Sequence, residues 1–283
     1  ISTGSEIISA QKTRQEVLIW TDSSLYAMRF TGPPFTFGFS MLANNVSIIG
    51  PNAVTTIGDR VFWMDRENFY AYTGRIQVIP CTLLRYVFDD INLDQSAKCF
   101  AAANKMFDEV FWFYPSADSA EIDRYVKFNL TENTWDLGTL SRTAWVDFGI
   151  HNNPRASGTS SGTSYVYIHE SGNNDDGSAM TSYIESADFD LGDGEQFMFV
   201  KRLIPDIDIT TTASRTVDYI LKTRDYPNDS LTTNSTNAVG TTTQQSFLRA
   251  RARQAVLRIE SSSTDVTWTL GDLRLDLRPD GRR

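Results

Sequence analysis

The sequence predicts an all-β fold: β-propeller-like blades over residues 1–175, then an antiparallel β-sandwich-like region over 176–283, with one short helix. Three observations carry this expectation. A hairpin recurs. Residues 61–64 are β-formers, 65–68 a polar turn and 69–72 β-formers again, and the pattern also stands at 17–28 and 110–128. A tryptophan marks each copy: Trp20, Trp63 and Trp112 fall 43 and 49 residues apart, the period of a propeller blade. After residue 175 the rhythm becomes a strict alternation of apolar and polar residues, the mark of half-buried antiparallel strands.

The repeat has a physical reason. One hairpin cannot bury its own aromatic face, so neighbouring hairpins stack and bury each other's indoles. An ordinary sandwich with Trp in its core is the competing arrangement. Residues 123–135 resemble the kelch unit: a Tyr-x-x-Phe strand, then Asn-x-x-x-Asn-Thr-Trp. The Asn-Thr turn is expected to send the chain back so that Trp135 covers the next blade.

In chain order, 1–16 is a polar lead-in and 17–30 the first hairpin. Gly32-Pro33-Pro34 breaks it, and Phe35, Phe37 and Phe39 resume a strand with aromatics on one face. Gly50-Pro51-Asn52 is a turn before the second hairpin. Leu84, Val87, Phe88 and Ile91 share one helical face, which places the single short helix there, outside the blades. Strands return at 99–103, 110–114 and 143–148. Residues 152–164, rich in Gly, Ser, Asn and Thr, read as an exposed loop, with a strand at 165–169. The acidic turn cluster at 170–178 is the domain boundary. Beyond it, Leu203, Ile207 and Ile209 alternate with Asp206 and Asp208, and Val217, Tyr219 and Leu221 repeat that pattern. Residues 228–245 read as a long hairpin tip. Val266, Trp268 and Leu270, then Leu273, Leu275 and Leu277, complete the alternation. These strands form a sandwich or, alternatively, the last blades of the same propeller.

At 283 residues the chain makes one large domain or two ordinary ones. No apolar run approaches the roughly 18 residues that span a membrane. The opening residues resemble neither a signal peptide nor a natural start. The chain is therefore expected to be the C-terminal part of a longer one, or a trimmed one, which would leave its propeller incomplete. Cys81 and Cys99 are too few for a disulfide framework and read as free thiols. The net charge is −9, without the basic footprint of a sequence-specific DNA reader.

No catalytic, cofactor-binding or metal-ligating residues are assigned. His151 and His169 lack metal-ligand spacing, and no nucleophile elbow, phosphate loop or zincin motif is present. Asn173 to Gly177 offers oxygens but lacks the alternation of a calcium loop. Residues 263–268 faintly resemble a sialidase Asp-box without its Gly. Arg249, Arg251 and Arg253 alternate with alanines, so one strand face carries three guanidiniums. These meet phosphates or pair with carboxylates of a neighbouring strand; the ion-pair arrangement is expected.

Three stretches resemble the tail nozzle or tail hub proteins (tail tubular protein B-like, or phage stabilisation proteins) of short-tailed bacteriophages. They are 13–22 with 32–38 and 49–53; 109–115 with 142–145; and 177–181, 183–186 and 190–194 with 278–283. The likeness runs in order over nearly the whole chain. It implies a structural virion protein without enzymatic activity. It implies a homo-oligomeric ring, a hexamer in that family, below the adaptor protein of the portal complex. Tail fibres or spikes attach around such rings, and genomic DNA passes through without specific binding. With 35 acidic against 26 basic residues, the DNA path is expected to be neutral to acidic. Two other classes stay open: a propeller-type glycan-binding or glycoside-hydrolysing protein, and a kelch-like interaction scaffold.

Overall fold

The computed structural model describes residues 3–192, 194–211 and 214–282. Residues 1–2, Asp193 and Arg283 lie outside them, the last two within stretches that carry the resemblance. The protein is almost entirely antiparallel sheet, in two compact units, 1–171 and 172–283.

In the first unit, four sheets follow one another along the chain. The first is β1 (Ile7–Lys12), β2 (Val17–Thr21), β3 (Ser24–Phe30) and β4 (Phe37–Asn44). The second is β5 (Val54–Ile57), β6 (Arg60–Met64), β7 (Phe69–Tyr72) and β8 (Ile76–Ile79). The third is β9 (Phe100–Asn104), β10 (Glu109–Tyr114), β11 (Arg124–Asn129) and β12 (Thr134–Thr139). Each runs up and down in chain order, as a propeller blade does. Trp20, Trp63 and Trp112 each take the fourth position of their blade's second strand, and all three are fully buried. A three-stranded sheet follows: β13 (Ala144–Val146), β14 (Arg155–Ser160) and β15 (Thr163–Ile168).

One hydrophobic core runs through the three blades. Trp20 meets Trp63 edge-on at 5.3 Å, and Trp63 stacks on Tyr70 at 5.2 Å. Phe69 meets Trp112 at 4.8 Å. A polar clasp adds to the first contact: buried Glu16 accepts from Tyr72 Oη of the second blade and from Arg29 Nε at 2.6 Å. The tyrosine is pushed up to about 12, first by burial and then by its bond to Glu16. Between the second and third blades, Ala101 N donates to Asn52 O at 2.8 Å. The turn before Asn52 passes so close that a Cβ on Gly50 would sit 2.5 Å from Ser96 O.

Several expectations are corrected. Trp135 covers the preceding blade and not the next. Its register opposite Phe128 puts it on the Trp112 face, where it meets Phe69 at 4.7 Å and donates to Pro80 O at 2.8 Å. The other face of the third blade is covered by Trp145 of β13, stacked on Phe111 at 5.6 Å. Helix α1 (Leu84–Asp90) packs by Leu84, Val87 and Phe88 as its periodicity requires. It is not alone: a 3-10 segment follows at Leu93–Lys98, tightened by the Asn92 side chain, which accepts from Asp94 N. Residues 155–160 and 163–168, expected within a loop and a short strand, form a complete hairpin turning at Ser161 and Gly162, both with positive φ.

The second unit opens with a small hairpin, β16 (Asn174–Asp175) and β17 (Ser178–Ala179). The remaining strands are β18 (Ser182–Glu185), β19 (Met198–Ile204), β20 (Ile207–Thr211), β21 (Val217–Arg224), β22 (Thr232–Val239), β23 (Ser246–Ala252), β24 (Gln254–Ser261), β25 (Val266–Leu270) and β26 (Arg274–Pro279). The sheets β18-β24-β21-β22 and β23-β19-β26 share one core of Met198, Leu203, Tyr219, Leu221, Leu248 and Leu257, with the pair β20-β25 beside it. This is a sandwich arrangement. The expected hairpin tip at 228–245 contains an eight-residue edge strand, β22. Its Thr, Ser and Asn residues suit an edge, where outward groups stay solvated and further pairing is discouraged.

Trp63 Nε1 donates to Ser47 O at 3.1 Å, whereas the indole nitrogens of Trp20 and Trp112 have no partner among the described residues. Trp63→Phe therefore loses a bond that Trp20→Phe does not. Trp63→Ala is expected to cost about 3–5 kcal/mol, and Trp63→Phe more than Trp20→Phe by about 1 kcal/mol. Urea titration followed by circular dichroism checks both. Equal losses in the two Phe variants would contradict the assignment.

Candidate interaction surfaces

The outer faces of the first and last sheets are partly exposed; on the first, Ile19 and Tyr26 are buried, whereas the apolar side chains toward β4 are bare. In the first blade, Leu18, Trp20, Leu25 and Ala27 face the second blade. Register places Phe37 opposite Phe30, Phe39 opposite Met28 and Met41 opposite Tyr26, all on the other face. Phe30 is 71% exposed, Phe35 78%, Phe37 and Phe39 52% and Met41 48%. Together they leave bare the area of about three whole side chains, roughly 600 Å² at ~200 Å² each. That is at the upper end of the largest apolar patch on an ordinary monomer. At the far end, Val146, Val166 and Ile168 form an outward apolar row on the β13–β15 sheet, each more than half exposed.

The polar residues singled out in the sequence are mostly engaged internally. Asn174 and Asp265, from the calcium-like and Asp-box-like stretches, bind each other. Asn174 Nδ2 donates to Asp265 Oδ1 at 2.7 Å, and Asp265 N donates to Asn174 Oδ1 at 2.8 Å. His169 Nε2 accepts from Arg142 Nε at 2.9 Å, with its ring 4.8 Å from Trp145. His151 lies exposed at a separate loop. Cys81 and Cys99 are free thiols; burial pushes Cys99 up to about 12, which leaves it unreactive. Among the described residues, no group of three His, Cys, Asp or Glu is placed to hold a metal ion, and no helix is long and apolar enough to cross a membrane.

The arginine row divides. Arg251 pairs with Asp280 at 2.7 Å, as expected for an ion pair. Arg253 does not: it donates to the carbonyls of Glu195 and Arg282, both at 3.3 Å. Arg249 sits in a left-handed bulge (φ 50°) over the Phe247 ring and makes no carboxylate pair among the described residues.

A polar cluster that the sequence did not signal lies at one end of the third blade. Buried Glu109 is held by Lys127 Nζ at 2.9 Å, and Asn104, opposite Glu109 in register, donates to Glu170 at 3.0 Å. Burial and then the nearby Glu109 raise the Glu170 carboxyl above its ordinary value. Each carboxylate thus already has a donor. Between the ordinary and raised pKa the folded chain holds the extra proton, so stability falls as pH rises through that window. Glu170→Gln keeps the acceptor and removes the charge. Its Tm is expected above that of the unsubstituted chain at neutral pH and equal to it below the ordinary glutamate range. Calorimetry across pH checks this, and a pH-independent difference would contradict it.

No protein-family model matches this sequence, and no curated protein matches it. Among solved structures, the chain is similar to one described as "Glycoside hydrolase", with 9% identity and a TM-score of 0.28, over 95% of this chain and 83% of that one. A likeness this slight carries no inference about chemistry.

Proposed function

We propose that this chain is a structural subunit of a short-tailed phage tail, the nozzle or hub. In this reading it assembles into a homo-oligomeric ring, contacts the portal adaptor protein, carries tail fibres or spikes and lets genomic DNA pass. The in-order sequence resemblance suggests the role. The observation that supports it most is the bare aromatic face of the first blade, because a stacked sheet needs a cover of the same kind. The two partly exposed outer faces of the stack differ in composition: Phe and Met at one end, Val and Ile at the other. Two different faces that meet make a heterologous contact, and such contacts close rings when the rotation allows. The aromatic patch alone approaches the roughly 800 Å² per partner of a stable interface. A glycan-hydrolysing role would need two carboxylates facing an open pocket, and Glu109 is instead engaged by Lys127.

Sedimentation velocity is expected to show self-association that Phe37→Asp with Phe39→Asp abolishes, the circular dichroism spectrum being unchanged. Immunogold labelling of particles that carry the chain is expected on the tail, below the portal vertex. A chain that stays monomeric at every concentration, or label away from the tail, would sink the proposal.

A further inference from the structure

The surface of the sandwich carries a second feature, unlike the first in chemistry. We infer that the outward face of the β23-β19-β26 sheet is a docking surface for the phosphate backbone of nucleic acid, recognised by charge and not by sequence. This goes beyond the proposed role, because a conduit needs no affinity for what it conducts.

The charge distribution carries the inference. These three strands hold Lys201, Arg202, Arg249, Arg251, Arg274 and Arg278 against a single carboxylate, Asp276. The inward residues Met198, Val200, Leu203, Leu248 and Ala250 fill the core, so the cations line the solvent side. Two are compensated: Arg202 by Asp276 at 3.2 Å and Arg251 by Asp280 at 2.7 Å. Lys201, Arg249, Arg274 and Arg278 are exposed and make no ion pair among the described residues. The other sheet of the same sandwich behaves differently. Its strands hold three basic and three acidic residues. There Lys222, Glu185, Arg258 and Glu260 form a continuous network with contacts of 2.5–3.4 Å. One face is neutralised from within, and the other keeps an excess of cations in a chain of net charge −9. Like charges this close repel unless an anion meets them.

The geometry suits phosphate. Arg278 lies 4.7 Å over the Phe199 ring and Arg249 5.4 Å over Phe247, while Arg251, 3.8 Å over Phe197, already gives Nε and Nη2 to Asp280. Phe199 stands in register between Arg251 and Arg278. A guanidinium laid on a ring spends its flat face there and keeps its in-plane donors for an oxyanion. Holding it there in advance lowers the ordering cost of binding. The bulge at Val200/Arg202 brings Lys201 and Arg249 to the same surface. An acidic protein surface is the other anion of this size. It is disfavoured because Phe247 is the one exposed large apolar side chain among the described residues of these strands, whereas protein interfaces need an apolar core. Nucleic-acid interfaces are polar and positively charged.

The experiment is fluorescence anisotropy of a short labelled DNA duplex titrated with the purified chain. Four uncompensated cations predict a slope of log affinity on log salt of roughly −3 to −4, so that affinity falls roughly 100-fold between about 50 and 200 mM. Arg249→Ala and Arg278→Ala should each lower the slope by about 1. Arg249→Glu with Arg278→Glu should abolish binding with the melting curve retained, and Lys222→Ala, on the neutralised sheet, should leave binding unchanged. Should the double reversal fail to fold, Lys201→Gln at the exposed bulge decides by the same slope change. Absence of binding at about 50 mM salt, or binding indifferent to salt or to these variants, overturns the inference. So does self-association that the same variants disrupt without any DNA bound, which would assign the face to an acidic surface of a second copy. Assembly lost through the Phe37 and Phe39 variants speaks only to the ring, so the two proposals fail separately.

Discussion

The first unit depends on aromatic burial between sheets rather than within them. A four-stranded blade is one layer thick and cannot enclose an indole. Trp63 is buried because Trp20 closes on it from one blade while Tyr70 stacks on it from its own. Trp112 is buried because Phe69 of the preceding blade and Trp135 of its own lie against it. The polar contacts follow from that apposition. Glu16 can accept from Tyr72 only when the blades are in contact, and Ala101 reaches Asn52 for the same reason.

The same constraint explains what the stack leaves exposed. Each interior blade has both faces covered, but the two ends have one face each that is only partly covered. The second unit meets the problem by facing two sheets across a closed core. On its described strands the exposed aromatics, Tyr183 and Phe247, stand singly, one on each sheet. What distinguishes its two outer faces is charge balance: basic and acidic residues are equal in number on the strands of one sheet, and cations are in excess on those of the other.

Polar groups that might have served chemistry are largely committed to one another. Glu109 is held by Lys127, Glu170 by Asn104 and Asn174 by Asp265. What is left over lies at surfaces, aromatic at one place and cationic at another. Such a distribution suits a protein that works by contact, in keeping with the proposed assembly role.

Local rhythm made much of this legible. Alternation and the Trp spacing identified three blades because side-chain direction along a strand is a local property, and the Leu84, Val87 and Phe88 periodicity located the helix for the same reason. Polar edge strand β22 was hidden, since Thr, Ser and Asn serve edges and loops alike. Trp135 was recognised as a covering residue, but its target depended on which face the register with Phe128 selected. The Glu109–Glu170 cluster joins residues far apart in the chain, and no short window contains it. The arginine alternation was visible, yet its fate was not. Whether a guanidinium meets a carboxylate, a carbonyl or a ring depends on β19 and β26 lying beside β23, and the pairing of distant strands is settled only when the whole core closes.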